Sequence, residues 1–242
     1  MKKTLNEVIE VLKTGEVKRT KYAVKEYILI FLKIIVLVAL FRFMAMMLSG
    51  LILHFLGIEI PENLTQTSLE EKTFLGRMFL ALILAPVIEE CATRLGLVFS
   101  IRNFVISTSL LLFFILHFVI NKIVIFDAIH PISINQRILV SGIYGVLMFV
   151  LLIRKDKITK TLSNFWSKHK RSVFYLSFLF FGYMHIFNFE LTLQNILISP
   201  ILLSSHFVMG IFLGYARLKL GMFSAISLHT LNNTVSYIKY LF

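Results

Sequence analysis

The stretch Ala85-Pro86-Val87-Ile88-Glu89-Glu90-Cys91-Ala92-Thr93-Arg94 decides how this sequence can fold. It places two adjacent carboxylates and an arginine in an otherwise apolar region, because Phe79–Ile88 and Leu95–Ile101 contain no charged residue. An ionised side chain at bilayer depth costs a few kcal/mol or more, so this cluster requires partners or a function. We therefore expect the remaining segments to supply partners for these groups and a route of access to them.

The composition is that of a membrane protein. Of the 242 residues, 57% are hydrophobic and 16% are charged, and the mean hydropathy is +0.83. A soluble domain averages about 45–50% apolar and about 25% charged residues. The apolar residues occur in long runs, without the roughly ten-residue stretches of alternating polarity that are typical of a membrane β-barrel. We therefore predict an all-α fold, a polytopic transmembrane helical bundle in the lipid bilayer of the cell membrane.

The net charge of +12 comes mainly from two segments that flank apolar runs. Residues 1–26 contain seven Lys or Arg and four Glu, and Arg154–Arg171 contains seven Lys or Arg and one Asp. The positive-inside rule explains this placement, so both segments, including the N-terminus, are predicted to be cytoplasmic and no nucleic-acid partner is expected. The single cysteine, Cys91, excludes an internal disulfide and a Cys-rich zinc site.

We predict about seven membrane spans in a single transmembrane domain, 28–242, after a cytoplasmic and partly amphipathic N-terminal segment, 1–27. The apolar runs place the spans at about Ile28–Leu56, Thr73–Ile101, Phe104–Phe126, Ile138–Ile153, Ser172–Phe187, Leu193–Tyr215 and Met222–Tyr240. Asp127–Arg137 is expected to form an outer turn. Pro86 predicts a kink in the second span, and a break at Pro200 would raise the count to eight.

Helical spacing separates the roles of the two adjacent carboxylates. Residues four apart share a helix face, whereas adjacent residues point about 100° apart. Glu90 and Arg94 can therefore pair, and Glu89 is left without that partner. An unpaired carboxylate in a low-dielectric site, beside a like charge, suits a general base. The alternative interpretation is a buried ion-pair network that joins helices and carries no chemistry.

Two later apolar segments contain further polar candidates. Phe181 lies one helical turn before His185, and its ring is expected to pack against the imidazole. His229 and Asn233 share a face, and two neutral donors there suit an oxyanion, although they could equally form interhelical hydrogen bonds. The other histidines lack a companion polar residue at helical spacing or lie near loops: His54, His117, His130, His169 and His206.

The chain resembles the CAAX protease and bacteriocin-processing family, also called CPBP or Abi, in three motifs that occur in order: Glu89-Glu90-x-x-x-Arg94, Phe181-x-x-x-His185 and His229-x-x-x-Asn233. This family includes the type II CAAX prenyl endopeptidases. The resemblance covers roughly 73–101 and 173–242, with the motifs at 85–94, 181–185 and 229–233. Family members usually end the first motif in a Phe-Arg-like pair, whereas Thr93 precedes Arg94 in this sequence.

The resemblance implies an intramembrane endopeptidase that cleaves a membrane-associated peptide or protein. It implies that Glu89 and His185 activate a water, while His229 and Asn233 stabilise the oxyanion. The supporting residues that it implies are Glu90, Arg94 and Phe181. No cofactor is expected, because the sequence lacks a His-Glu-x-x-His helix. A zinc ion held by residues of these motifs is the less favoured alternative.

Two non-proteolytic functions compete with this prediction. Some members of the family are associated with bacteriocin self-immunity or with scaffolding of another membrane enzyme, and neither role requires catalysis. Intramembrane Glu, Arg and His residues are also typical of ion or proton transporters, although no internal repeat supports a transporter here. The sequence predicts neither the substrate nor the oligomeric state.

Overall fold

The computed structural model describes residues 1–64, 73–118 and 133–237. Every regular element within these ranges is a helix, so the predicted all-α fold is confirmed for the part of the chain that the structure describes. The predicted end of the third span at Phe126, part of the turn Asp127–Arg137, His130 and the end of the last span lie outside the described residues.

The first part of the chain forms the helices α1 Lys2–Thr14, α2 Val24–Phe55, α3 Phe74–Phe79, a π-helical segment Leu80–Leu84, α4 Ala85–Arg94, a 3₁₀ turn Leu95–Leu97 and α5 Ile101–Ile115. The second part forms α6 Ile134–Arg154, α7 Asp156–Lys168, α8 Lys170–Met184, a 3₁₀ turn His185–Asn188, α9 Leu193–Leu197, α10 Ser199–Leu202, α11 Ser204–Lys219 and α12 Met222–Tyr237.

Three helices of the described chain are long and apolar enough to cross a bilayer: Val24–Phe55, Ile101–Phe118 and Ile134–Arg154. They carry many exposed large apolar side chains, for example Phe43 on the first and Val146 on the third. These surfaces suit contact with lipid tails, so the chain is that of a membrane protein. The count of about seven spans stays a prediction, because the remaining apolar segments are divided into shorter helices.

The predicted second span is not a single helix. Its residues are divided between α3, the π-helical segment, α4 and the 3₁₀ turn. Pro86 lies in the first turn of α4 and has no N–H to donate to the π-helical segment that ends at Leu84. The backbone irregularity expected at Pro86 therefore lies directly before Glu89 and Glu90.

The structure also corrects two connecting segments. The predicted outer turn ends at Ser133, because α6 starts at Ile134 with a capping box between Ser133 and Gln136, and this places Arg137 in a helix. The predicted break at Pro200 is present as the short helix α10 between α9 and α11. The basic segment after Arg154 forms α7, and the indole N–H of Trp166 donates to the carbonyl of Gly96 at 2.6 Å.

Helices α2, α8 and α11 pack around the main apolar cluster of the protein. Glycine on α11 permits the close approach of α8, because a Cβ atom at Gly210 would lie 3.0 Å from the Cβ of Phe178. Helix α1 also contributes, since Val11 is fully buried in this cluster. Its apolar face is therefore covered by protein.

Helix α1 is fixed to the end of α11 by one carboxylate. Glu7 accepts hydrogen bonds from the hydroxyl of Tyr215 at 2.6 Å and from the ammonium of Lys219 at 2.9 Å. Burial alone would raise the pKa of this carboxyl, but the hydrogen bonds from Tyr215 and Lys219 outweigh it and hold the pKa below its ordinary value of 4.5. The charged form of Glu7 therefore stabilises the docked helix.

We expect the contribution of Glu7 to stability to disappear in acid. A carboxyl whose pKa is lower in the folded state stabilises the protein at pH values above its ordinary pKa of 4.5. This stabilisation is lost as the pH falls through the folded-state pKa. In thermal unfolding in detergent between pH 7 and pH 3, Glu7→Gln should lower the midpoint at pH 7 and flatten its acid dependence. The exposed Glu10→Gln is the matched control. An unchanged pH dependence in Glu7→Gln would contradict this account.

Candidate active site

Glu90 is fully buried between two partners. Its Oε1 accepts a hydrogen bond from Nδ1 of His229 at 2.9 Å. Its Oε2 lies 3.5 Å from Nε of Arg94, an ion pair that does not reach hydrogen-bonding geometry. Both Glu90 and Arg94 have 0% exposure. The pair predicted from helical spacing is therefore formed, and the carboxylate also ties α4 to α12.

Arg94 connects this pair to two further helices. Its Cζ lies 4.1 Å from the centre of the Phe181 ring on α8, within the range of cation–π contacts. Its guanidinium donates to the carbonyl of Gly210 on α11 at 3.3 Å and to the hydroxyl of Thr93. The buried charge is thus surrounded by an aromatic face and hydrogen-bond acceptors as well as by Glu90.

Glu89 points away from this pair and faces two imidazoles. Its Oε2 lies 4.0 Å from Nε2 of His185 and 3.9 Å from Nε2 of His229. These distances are too long for direct hydrogen bonds, and the buried Oε2 atom has no hydrogen-bond partner among the described residues. Polar groups at this separation can be bridged by a water molecule. The side chain of Glu89 as a whole is 18% exposed, although its Oε2 atom is buried.

The tautomer of His185 follows from its hydrogen bond. Its Nδ1 lies 2.7 Å from the carbonyl oxygen of Phe181, and a carbonyl oxygen only accepts, so Nδ1 carries a hydrogen. In the neutral ring, Nε2 then has the lone pair and faces Glu89. The ring of Phe181 also packs edge-on against both imidazoles, with centroids 4.8 Å from His185 and 5.5 Å from His229. Phe181 therefore orients both rings.

The same reasoning constrains His229. Because Glu90 accepts from Nδ1, Nε2 of a neutral His229 is an acceptor, and it becomes a donor only when the ring is an imidazolium. Asn233, one turn later, donates one amide hydrogen to the carbonyl of Ala81 at 2.9 Å and keeps its second hydrogen. A role for these two residues in an oxyanion hole therefore requires a proton on Nε2 of His229.

Pro86 explains why α12 carries hydroxyl and amide groups at this point. A nitrogen at position 86 would donate to Leu82 in an α-helix or to Ala81 in a π-helix, but proline has no N–H. The hydroxyl of Thr230 donates to the carbonyl of Leu82 at 2.9 Å, and Asn233 donates to that of Ala81. These side chains supply the hydrogen bonds that Pro86 cannot make, and they fix the backbone directly before Glu89.

The structure brings together Glu89, Glu90, Arg94, Phe181, His185 and His229, with Asn233 one turn away. Sequence reasoning missed His206 and Thr230. The ring of His206 stacks on that of His185, with centroids 4.2 Å apart. Because His185 and His206 lie on different helical segments, the spacing of residues along the sequence does not indicate their contact. Thr230 could have been found by asking which side chain donates to the carbonyl of Leu82, since Pro86 has no N–H to do so.

The sequence leaves a zinc ion as the less favoured alternative. The described residues contain no group of three or more His, Cys, Asp or Glu side chains placed to hold a metal ion. Zinc ligands converge to about 2.0–2.2 Å from a single point. The catalytic steps proposed below are assigned to water and to protein side chains.

We expect removal of Arg94 to be strongly destabilising, because it leaves the carboxylate of Glu90 buried without its cation. Arg94→Met should lower the free energy of unfolding by about 3–5 kcal/mol. The double variant Glu90→Gln/Arg94→Met should lose clearly less, since it removes the unpaired charge as well. Equilibrium unfolding in mixed detergent micelles measures both. Equal losses in the single and double variants would show that Glu90 and Arg94 are not coupled.

A second prediction concerns the hydrogen bond from Thr230 to Leu82. Thr230→Val should cost about 1–3 kcal/mol, because it removes a donor from a partly buried carbonyl. In a Pro86→Ala background, the new N–H at position 86 can serve that carbonyl, and the same substitution should cost less by about 1 kcal/mol or more. A double-mutant cycle of unfolding free energies gives the coupling. Additive costs would contradict the proposed exchange of donors.

A family model with the description Type II CAAX prenyl endopeptidase Rce1-like matches residues 158–235, about a third of the chain. This range contains the motifs that end at His185 and Asn233, and it lies outside the first motif, which the structure places against them. Comparisons with the curated proteins and with the solved structures gave no match. Over the matched residues the chain is similar to the type II CAAX prenyl endopeptidases, as its motifs predict.

Proposed function

We propose that the protein is an intramembrane endopeptidase that hydrolyses a peptide bond of a membrane-associated peptide or protein. The observation that supports this most directly is the gap between Oε2 of Glu89 and Nε2 of His185, which measures 4.0 Å. Both atoms are acceptors when Glu89 is ionised and His185 is neutral. A water in the gap donates one O–H to each, which leaves its lone pairs free to attack a carbonyl carbon.

The proposed reaction conserves every proton. The water oxygen bonds to the scissile carbonyl carbon while one water proton passes to Glu89 or His185. The carbonyl oxygen becomes an oxyanion in this step. When the C–N bond breaks, the proton held by Glu89 or His185 passes to the leaving nitrogen, which departs as an amine. The carboxylate and the imidazole return to their starting states.

His229 and Asn233 are proposed to stabilise the oxyanion. Asn233 offers its second amide hydrogen, because the first is used on Ala81. His229 would donate from Nε2 as an imidazolium, with its Nδ1 held by the carboxylate of Glu90 at 2.9 Å. Glu90 and Arg94 therefore act by positioning and by charge, without touching the substrate. Fixed donors of this kind are worth about 2.7–4 kcal/mol each in acyl-transfer enzymes.

We expect Glu89→Gln to abolish proteolysis without unfolding the protein. The amide has the shape of the carboxylate, but it cannot take a proton from water, so cleavage should fall by about 100-fold or more. Comparative peptidomics of membranes that contain wild type or Glu89→Gln measures this loss. The exposed Glu190→Gln is the matched control and should release the wild-type peptides.

Two outcomes would oppose this proposal. If membranes with Glu89→Gln release the same peptides as wild type, the chain does not act through this carboxylate. If a strong chelator stops cleavage by the purified wild-type protein, a metal takes part and the water-only mechanism is wrong. A phenotype that survives in both Glu89→Gln and His185→Ala would favour the non-catalytic immunity or scaffold role.

A further inference from the structure

Helix α7, Asp156–Lys168, has an apolar side and a basic side. Apolar residues recur at i, i+4, i+7 and i+8, which is the spacing of one helix face: Ile158, Leu162, Phe165 and Trp166. The lysines of the helix fall on the opposite side: Lys157, Lys160 and Lys168. Its single acidic residue is Asp156, at the N-terminal end. The helix is therefore amphipathic, and its polar side is positively charged.

Hydrogen bonds attach both halves of α7 to the protein. The hydroxyl of Thr159 donates to the carbonyl of Leu152, near the end of α6, at 2.6 Å. Further along, the indole N–H of Trp166 donates to the carbonyl of Gly96 at 2.6 Å. The ring of Trp166 also packs edge-on against that of Phe104, with centroids 5.4 Å apart. These attachments fix the roll of the helix, and so they determine which side it turns away from the protein.

The side turned away from the protein carries apolar residues as well as lysines. Ile158 is 40% exposed and Phe165 is 53% exposed. All three lysines of α7 are exposed too, whereas Leu162 and Trp166 are half-buried. The apolar side of α7 is thus wider than the protein surface that covers it. Ile158 and Phe165 form an exposed apolar edge beside the lysines.

The position of α7 in the chain places this edge at a membrane surface. Helix α6 is long and apolar enough to cross a bilayer, and it ends at Arg154. The chain leaves the helical conformation at Lys155, and α7 starts at the next residue. Ile153, in the last turn of α6, is exposed like the apolar edge of α7. Exposed apolar residues therefore continue along the chain from the span into α7, which favours the bilayer over a protein as the partner of this edge.

The charge of α7 indicates which lipids it binds. Amphipathic helices with Lys on one side and Trp, Phe or Leu on the other lie in the layer between headgroups and acyl chains. Each Lys or Arg close to that layer strengthens binding to anionic phospholipids, which are concentrated in cytoplasmic leaflets. The positive-inside rule predicts that Arg154–Arg171, the basic segment containing α7, is cytoplasmic.

We propose that α7 is an interfacial helix that binds anionic phospholipids of the surrounding bilayer. Ile158 and Phe165 insert among the acyl chains, and Lys157, Lys160 and Lys168 bind the phosphates of the headgroups. This surface contains none of the residues proposed to take part in proteolysis. The inference therefore does not depend on the proposed function.

The test uses Trp166, which is the single tryptophan of the chain, so that its fluorescence reports on α7 alone. The full chain is reconstituted in mixed vesicles of phosphatidylcholine and phosphatidylglycerol, with bromine on the acyl chains of one lipid or of the other. Bromine quenches an indole that it touches, so the two series give the relative affinity of the lipids for α7. Phosphatidylglycerol should bind about fivefold or more tightly. Raising the salt concentration should reduce this preference.

Replacing all three lysines of α7 by Gln should abolish the preference for phosphatidylglycerol. Lys and Gln have similar helix propensity and the three side chains are exposed, so the helix should be retained. The matched control removes the same charge from exposed lysines near the N-terminus, and it should keep the preference in full. Its substitutions are Lys2→Gln, Lys21→Gln and Lys25→Gln.

A second probe does not depend on the exposure of Trp166. The double variant Phe165→Trp/Trp166→Phe moves the single indole to the exposed apolar edge, where both brominated lipids should quench it more strongly than they quench Trp166. Equal quenching of this indole by the two lipids, including none by either, would overturn the proposal. So would a preference that survives the loss of the three lysines, or one that the control variant loses to the same extent.

Discussion

The buried carboxylate of Glu90, shared between Arg94 and His229, is the interaction on which the rest of the site depends. It joins α4 to α12, and Arg94 extends the connection to α8 and α11 through Phe181 and Gly210. A charge at this depth is tolerable only because each partner is fixed by others. Since adjacent residues on a helix point about 100° apart, satisfying Glu90 leaves Glu89 to face the two imidazoles. The carboxylate that is fixed by partners and the carboxylate that is proposed to react thus belong to adjacent residues.

The backbone directly before Glu89 and Glu90 is also held against α12. Pro86 prevents a regular helix there, and the carbonyls of Ala81 and Leu82 take donors from Asn233 and Thr230 on α12. The break in the helix and the oxyanion-hole candidate are therefore parts of one arrangement. Asn233 therefore has a structural role, its hydrogen bond to Ala81, as well as a proposed catalytic role. The stability of a variant at this position has to be measured together with its activity.

The spacing of residues along the sequence predicted the contacts between side chains of the same helical segment. It paired Glu90 with Arg94, separated Glu89 from them and placed Phe181 against His185, and the structure shows these contacts. It could not predict contacts between helices, such as His206 on His185, or Thr230 on Leu82. Apolar runs were good predictors of α2 and α6, which are long and uninterrupted. They placed spans at 73–101 and 193–215, where the chain is divided into shorter helices near Pro86, the expected kink, and at Pro200, the expected break. The role of each site residue stays a prediction.

Glu89 and His185 are proposed to hold a water that neither Glu90 nor Arg94 touches. An experimentally determined structure at a resolution that shows ordered water tests it most directly. The predicted result is a water within hydrogen-bonding distance of both Oε2 of Glu89 and Nε2 of His185, with Glu90 still bound to His229. A direct hydrogen bond from a protein donor to Oε2 of Glu89, or anomalous scattering from a metal in that gap, would contradict it.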